Sequence, residues 1–260
     1  MDGFNDICFI MIILGVVVWI SLYFVDAGYG KMTSDRWGPA INNKIGWMLM
    51  ECPVFLVVLY FWAKSPVRFN VPYLLFFLFF EFHYLHRAFI APFLMRGKSK
   101  MPFAIMLMSV AFNLINGYLQ GKWLFELAPQ HPDYQYLYTN AWMTDWRFVV
   151  GTVVFFVGMA INWHSDYIIR HLRQPGDTKH YLPKGGMYNY VTSANYLGEI
   201  IEWMGWAILT WSLAGFVFFW FTMSNLVPRS HSIYNKYKKE FADEFEARRP
   251  KLKRILPFIY

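Results

Sequence analysis

The run Gly158-Met159-Ala160-Ile161-Asn162-Trp163-His164-Ser165-Asp166-Tyr167-Ile168-Ile169-Arg170 decides how this chain is read. Apolar residues from 148 to 157 precede it, so the whole segment is long enough to cross a bilayer as a helix. Asn162, Asp166, Arg170 and Arg173 step by four, four and three, which puts them on one helical face. A loop with Pro175-Gly176 and Pro183-Lys184-Gly185-Gly186 follows, and then Asn195, Glu199 and Glu202 step by four and three. Ionisable groups in a membrane are expensive and by default mark a functional site. The pattern reads as a polar ligand held at a membrane face by two helices and the loop between them.

Composition supports the membrane reading. Of 260 residues, 57% are hydrophobic and only 16% charged, and mean hydropathy is +0.27. The apolar residues come in long runs, roughly 7–25, 46–63, 70–95, 103–122, 147–170, 195–211 and 213–235. These predict an all-α polytopic membrane protein, with seven transmembrane helices in one bundle and a single domain over residues 1–260. The acidic start reads as a retained first helix instead of a cleavable signal. The weakest divide is Trp211-Ser212-Leu213-Ala214-Gly215, where two spans could merge into one long bent helix.

The charge distribution sets an expected orientation. Nineteen Lys and Arg fall in the loops and tail on one side, against four (Lys64, Arg68, Lys122, Arg147) on the other. The positive-inside rule then places the N-terminus outside and the C-terminus in the cytosol. The loop 123–146 covers the outer face in this reading, and the charged, aromatic tail lies along the cytosolic surface. The same split explains the net charge of +7 without nucleic acid. Cys8 and Cys52 both lie in apolar spans and build neither a disulfide framework nor a thiolate zinc site.

Polar groups inside the spans narrow the chemistry. Glu51 lies in Trp47-Met48-Leu49-Met50-Glu51-Cys52-Pro53, five residues into the second span. Burial there favours a neutral acid able to donate a hydrogen bond, either to a ligand or to a neighbouring helix. The third span holds Glu81, His83, Tyr84, His86 and Arg87. One HxxH pair among seven histidines falls short of a metal centre, so no metal is expected. Asn113, Asn116 and Gln120 form a polar face in the fourth span, suited equally to helix–helix glue and to ligand contact. Lys98, Arg170, Arg173, Lys179 and Lys184 converge on the cytosolic side, and clustered cations beside Gly-rich turns suit a pyrophosphate or phosphate ester. A structural salt-bridge network is the competing reading. Neither a G-x-G-x-x-G turn after a strand nor a Walker loop is present.

Together these residues resemble the steroid 5α-reductase family over nearly the whole chain. The matching pieces are Gly28-Tyr29-Gly30-Lys31, Glu51-Cys52-Pro53, His83-Tyr84-Leu85-His86-Arg87, Asn116-Gly117-Tyr118-Leu119-Gln120-Gly121, the opening run and Ala194-Asn195-Tyr196-Leu197-Gly198-Glu199-Ile200-Ile201-Glu202-Trp203. The ending Leu256-Pro257-Phe258-Ile259-Tyr260 also fits. The resemblance implies an integral membrane enzyme of a bacterial inner membrane or endoplasmic reticulum that uses NADPH to reduce the Δ4 double bond of a 3-oxo steroid. The steroid would come from the bilayer and the cofactor from the cytosol, with no obligate protein partner. By the same resemblance, Glu51 and Tyr84 bind the 3-keto oxygen. Tyr29, Lys98, Asn162, Asp166, Arg170, Arg173, Asn195, Glu199 and Tyr237 line the NADPH site.

The rivals are a reductase of polyprenol or enoyl lipids, a membrane methyltransferase using S-adenosylmethionine, and a non-enzymatic lipid or sterol carrier. The chain departs from the family at three places. Met50 stands where the family often has Gln, which removes one expected hydrogen bond supporting Glu51. Lys98 stands where the family has Arg, and a lysine lacks the bidentate fork. Of the family's His-rich tail motif, only His231 remains.

Overall fold

The computed structural model describes residues 1–25, 37–96, 99–173, 179–248 and 251–260. It is mostly helical. The long helices are α1 (Asp2–Phe24), α2 (Asn43–Lys64), α3 (Val71–Leu94), α4 (Phe103–Lys122), α5 (Trp146–His171), α6 (Ala194–Thr210) and α7 (Leu213–Glu240), followed by the short α8 (Ala242–Arg248). Helices α1 to α5 are long and apolar enough to cross a membrane; α4 reaches that measure together with the turns that continue it to Gln130. Helix α6 has 17 residues, and the C-terminal part of α7 carries Arg229, Lys236, Lys238 and Lys239.

The chain divides into two compact units, Met1–Cys8 with Ala27–Val149, and Phe9–Asp26 with Val150–Tyr260. In the first, the Asn42 side chain caps α2 by accepting from Lys44 N and Ile45 N, and Pro72 starts α3 where a missing N–H costs little. Before the start of α2, the short strand β1 (Ala40–Asn42) pairs antiparallel with β2 (Lys100–Pro102), an element absent from the hydropathy pattern. Helix α3 passes through a π-helical turn at Leu85–Ile90, the stretch that holds Arg87. Helices α2 and α4 approach closely because Gly117 and Gly121 face α2. A Cβ at Gly117 would lie 3.2 Å from the Val54 carbonyl, and one at Gly121 would lie 2.7 Å from Phe61. The expected covering loop 123–146 is folded into successive helical turns anchored by buried Tyr138 and Trp142.

In the second unit, α5 and α6 pack backbone against backbone. Gly151 and Gly158 on α5 face Leu209 and Glu202, while Gly198 and Gly205 on α6 face Asn162 and Phe155. A Cβ at any of the four would fall on a main-chain nitrogen of the other helix. The divide after α6 is real: Trp211 adopts a left-handed conformation (φ 44°), and the Ser212 hydroxyl accepts from Gly215 N at 3.0 Å to start α7.

The tail departs from the expected surface strip. Tyr237, Phe245, Leu252 and Ile255 are buried, and Lys253 forms a parallel bridge with Val191. The aromatic residues that alternate with charge are core contacts, with Phe245 lying edge-on to Tyr234 at 4.9 Å.

Candidate functional site

Within the first unit, the α2–α4 approach places Asn113 beside the carboxyl of Glu51. Asn113 Nδ2 donates to Glu51 Oε2 at 3.1 Å and to the Met50 carbonyl at 2.5 Å. From α3, Arg87 Nε lies 3.5 Å from Glu51 Oε1, and its guanidinium sits over the Trp47 ring at 4.5 Å. Glu51 is only 8% exposed, so these partners supply the compensation that a buried carboxyl needs. The sequence reading expected burial to favour a neutral Glu51; the structure places Arg87 beside the carboxyl.

Tyr84 is buried three residues before Arg87. Its ring packs on Phe80 at 4.8 Å and against His83 at 4.9 Å. The polar face of α4 splits into two parts. Asn113 serves Glu51, whereas Gln120 Nε2 donates to Asn116 Oδ1 at 3.2 Å and so binds its own helix.

The second unit gathers three of the residues singled out in the sequence. Asn162 Nδ2 donates to the Asn195 carbonyl at 2.9 Å, and Asn195 Nδ2 donates to Asp166 Oδ1 at 3.3 Å. The glycine packing makes this possible, because Gly198 rests against the Asn162 backbone and brings the start of α6 to that level of α5. Tyr188, which the sequence reading missed, completes the set by donating from Oη to Asn195 Oδ1 at 3.3 Å. Burial pushes the Tyr188 phenol well above its ordinary value, and Asp166 acts in the same direction, so the hydroxyl keeps its proton. Only its place in the loop before Asn195 could have flagged it.

Arg170 is half-buried and Arg173 exposed one and two turns beyond Asp166, and neither pairs with a carboxylate among the described residues. The competing reading of this stripe as a salt-bridge network therefore has no described ion pair at either arginine. Lys184 differs: it pairs with Glu244 at 2.8 Å and holds the loop to the tail. Glu199 lies one turn after Asn195 and is half-buried. Tyr237 is buried with Leu182, Phe245 and Leu252, and burial raises its phenol well above the usual range. Tyr29 and Lys98 lie outside the described residues.

The tail straps the loop that leads into α6. Arg248 donates to the carbonyls of Pro183 at 3.0 Å and Tyr188 at 2.8 Å, and His180 Nδ1 meets Glu240 Oε1 at 2.5 Å. Lys253 N donates to Tyr190 O at 2.7 Å, and Thr192 N donates back to Lys253 O at 2.9 Å. Gly185 and Gly186 take positive φ (92° and 51°) where the loop folds over His164, and a Cβ at Gly186 would meet that ring at 2.6 Å. His231 bonds Asn235 one turn along α7, at 2.9 Å.

Chemically, the first unit offers a fixed, buried carboxyl and a buried phenol. The second offers amide, carboxylate and hydroxyl groups beside two arginines that pair with no carboxylate among the described residues. The second set suits a polar ligand with a phosphate, since a guanidinium without an internal partner is free to take one bidentately.

The family model described as 3-oxo-5-alpha-steroid 4-dehydrogenase matches residues 99–260. The steroid 5-alpha-reductase DET2 of Gossypium hirsutum is 36% identical over 252 residues, covering 95% of this chain and 94% of that protein. The human 3-oxo-5-alpha-steroid 4-dehydrogenase 1 is 36% identical over 250 residues (95% and 92%), and the human 3-oxo-5-alpha-steroid 4-dehydrogenase 2 is 39% identical over 246 residues (93% and 91%).

Proposed function

The chain belongs to the 3-oxo-5-alpha-steroid 4-dehydrogenase, or steroid 5α-reductase, family of oxidoreductases, and on that premise we propose that it reduces the Δ4 double bond of 3-oxo-Δ4-steroids with NADPH. The observation that carries this reading is the nearly full-length relationship to enzymes named for that reaction, which spans both groups of residues described above.

In this reading NADPH, when bound, supplies the hydride that adds to C5 of the enone. Negative charge then develops on the C3 oxygen. Glu51 and Tyr84 are the two donors aimed at that oxygen, preorganised and out of water, where such donors are strongest. For Glu51 to donate it carries a proton in the complex. Asn113 Nδ2 donates to Oε2, and Arg87 Nε lies 3.5 Å from Oε1. Protonation at C4 completes the reaction.

The cofactor is assigned to the second unit. Arg170 and Arg173 would hold its phosphates, and Asn162, Asp166, Asn195, Glu199 and Tyr237 its carboxamide, ribose or adenine, together with Tyr29 and Lys98. The absence of a described internal partner for both arginines and the pre-linked Asn162–Asn195–Asp166 set support that fit. Residues 1–260 are read as one membrane domain in which all seven helices cross, with the N-terminus outside and the C-terminus cytosolic, and with the steroid arriving from the bilayer. The 17 residues of α6 rise about 25 Å, just short of a hydrocarbon core of about 30 Å.

The test is testosterone reduction by Glu51→Gln and Tyr84→Phe in detergent with NADPH. Each is expected to lower turnover by roughly 10²- to 10³-fold, the usual cost of one oxyanion donor. Full activity in both variants would remove the assigned donors.

A further inference from the structure

Asn113 is a residue that the geometry singles out. The residue before Glu51 is methionine, and its side chain lies in a buried cluster with Met101 and Met106, lined by Trp47 and Val110. Position 50 therefore gives Glu51 no polar side-chain support. The hydrogen bond that the sequence counts as missing comes from a different helix: Asn113 Nδ2 reaches Glu51 Oε2 at 3.1 Å and the Met50 carbonyl at 2.5 Å. Asn113 is 5% exposed. Gly117, one turn on, allows this reach by letting α4 lie against the main chain of Val54.

From this geometry we infer that Asn113 is the positioning residue for the Glu51 carboxyl in this chain, taking the place of support from residue 50. An amide N–H donating to Oε2 fixes the side-chain rotamer. It also commits Oε2 as an acceptor. The second bond, to the Met50 carbonyl, anchors the amide to the backbone beside Glu51. The inference rests on the reading of Glu51 as a donor to the steroid, and its experiment separates the two.

The experiment compares Asn113→Leu, Asn113→Asp, Glu51→Gln and the Glu51→Gln/Asn113→Leu double variant, with steady-state kinetics for testosterone and for NADPH. Asp keeps the shape, removes the donor and sets a second carboxyl beside the first. The expected result for Asn113→Leu is a roughly tenfold to hundredfold fall in kcat/KM for the steroid, the scale of leaving a buried acceptor unsatisfied. The KM for NADPH should stay unchanged, and Asn113→Asp should lose more. The double variant should be no slower than Glu51→Gln alone, because a residue acting through Glu51 has nothing left to position. Wild-type turnover in Asn113→Leu beside a crippled Glu51→Gln would overturn the inference while leaving the role of Glu51 intact. An additive double variant would also overturn it, since a general packing defect adds. Wild-type turnover in Glu51→Gln would overturn the underlying reading itself. Asn113→Asp keeps the test alive if the leucine variant does not fold.

Discussion

In the α2–α4 pair only one helix contributes glycines, Gly117 and Gly121, and what they meet is partly side chain. In the α5–α6 pair both helices do, Gly151 and Gly158 against Gly198 and Gly205, and what they meet is main chain. The consequence is visible in the polar groups. On α2–α4 one amide reaches across to a carboxyl, and that carboxyl takes its second partner from α3. On α5–α6 the backbones are close enough for an asparagine side chain to bond the other helix's main chain, which locks Asn162 to the first turn of α6. One pair brings an amide to a buried carboxyl; the other builds a platform from which two arginines extend. The difference teaches that the supporting glycines of the second unit are as much part of its candidate site as the polar residues.

The sharpest way to break this comparison is Gly198→Ala against Gly117→Ala. Alanine at 198 has its methyl on the Asn162 nitrogen, and neither helix has a side chain that can give way. The expected cost is about 3 kcal/mol or more, at the upper end of overpacking, with loss of thermal protection by NADPH. At Gly117 the nearest atoms are a Val57 methine carbon and the Val54 backbone, at 3.0 and 3.2 Å, so the expected cost is about 1 kcal/mol. Equal costs at both positions, read as the shift in Tm, would erase the distinction.

Arg170→Gln comes next in size. If the second unit holds the phosphates of NADPH, removing this guanidinium should weaken protection by NADPH tenfold to a hundredfold, on the order of 1.5–3 kcal/mol. The intrinsic Tm should stay constant, because no described ion pair is lost. Unchanged affinity for NADPH would move the cofactor away from this stripe.

The smallest effect sharpens the comparison inside the first unit. Glu51 is hydrogen-bonded, whereas both oxygens of Glu81, 6% exposed, are buried without a hydrogen-bond partner among the described residues. Replacing an unsatisfied buried carboxyl by an apolar group of similar size should stabilise. Glu81→Leu is expected to gain about 1–2 kcal/mol, seen as a higher Tm in detergent. A lower Tm would mean that Glu81 has a partner that matters.

Much of this was legible before any coordinates. The long apolar runs marked every long helix, because burial of backbone polar groups in lipid leaves helices as the available element. The steps between Asn162, Asp166 and Asn195 marked a real cluster, because helical spacing alone puts Asn162 and Asp166 on one face. Asn113 was seen but left open between glue and contact, since a sequence does not say which helix faces it. Tyr188 was missed because it lies in a loop, where no periodicity constrains direction. The two glycine pairs recur at a spacing of seven, a signal present in the sequence. That the pairs face each other is a tertiary fact that no single helix encodes. The tail was misjudged because alternating charge and aromatics reads as a surface strip, whereas Arg248 and Arg254 spend their charge on carbonyls and ring faces while the aromatics enter the core.

The most direct test is the product formed when the purified protein is incubated in detergent with NADPH and testosterone. The account predicts the 5α-dihydro steroid, with one NADPH oxidised for each steroid reduced. Folded protein that NADPH protects against unfolding, but that returns every 3-oxo-Δ4-steroid in a panel unchanged, would contradict it.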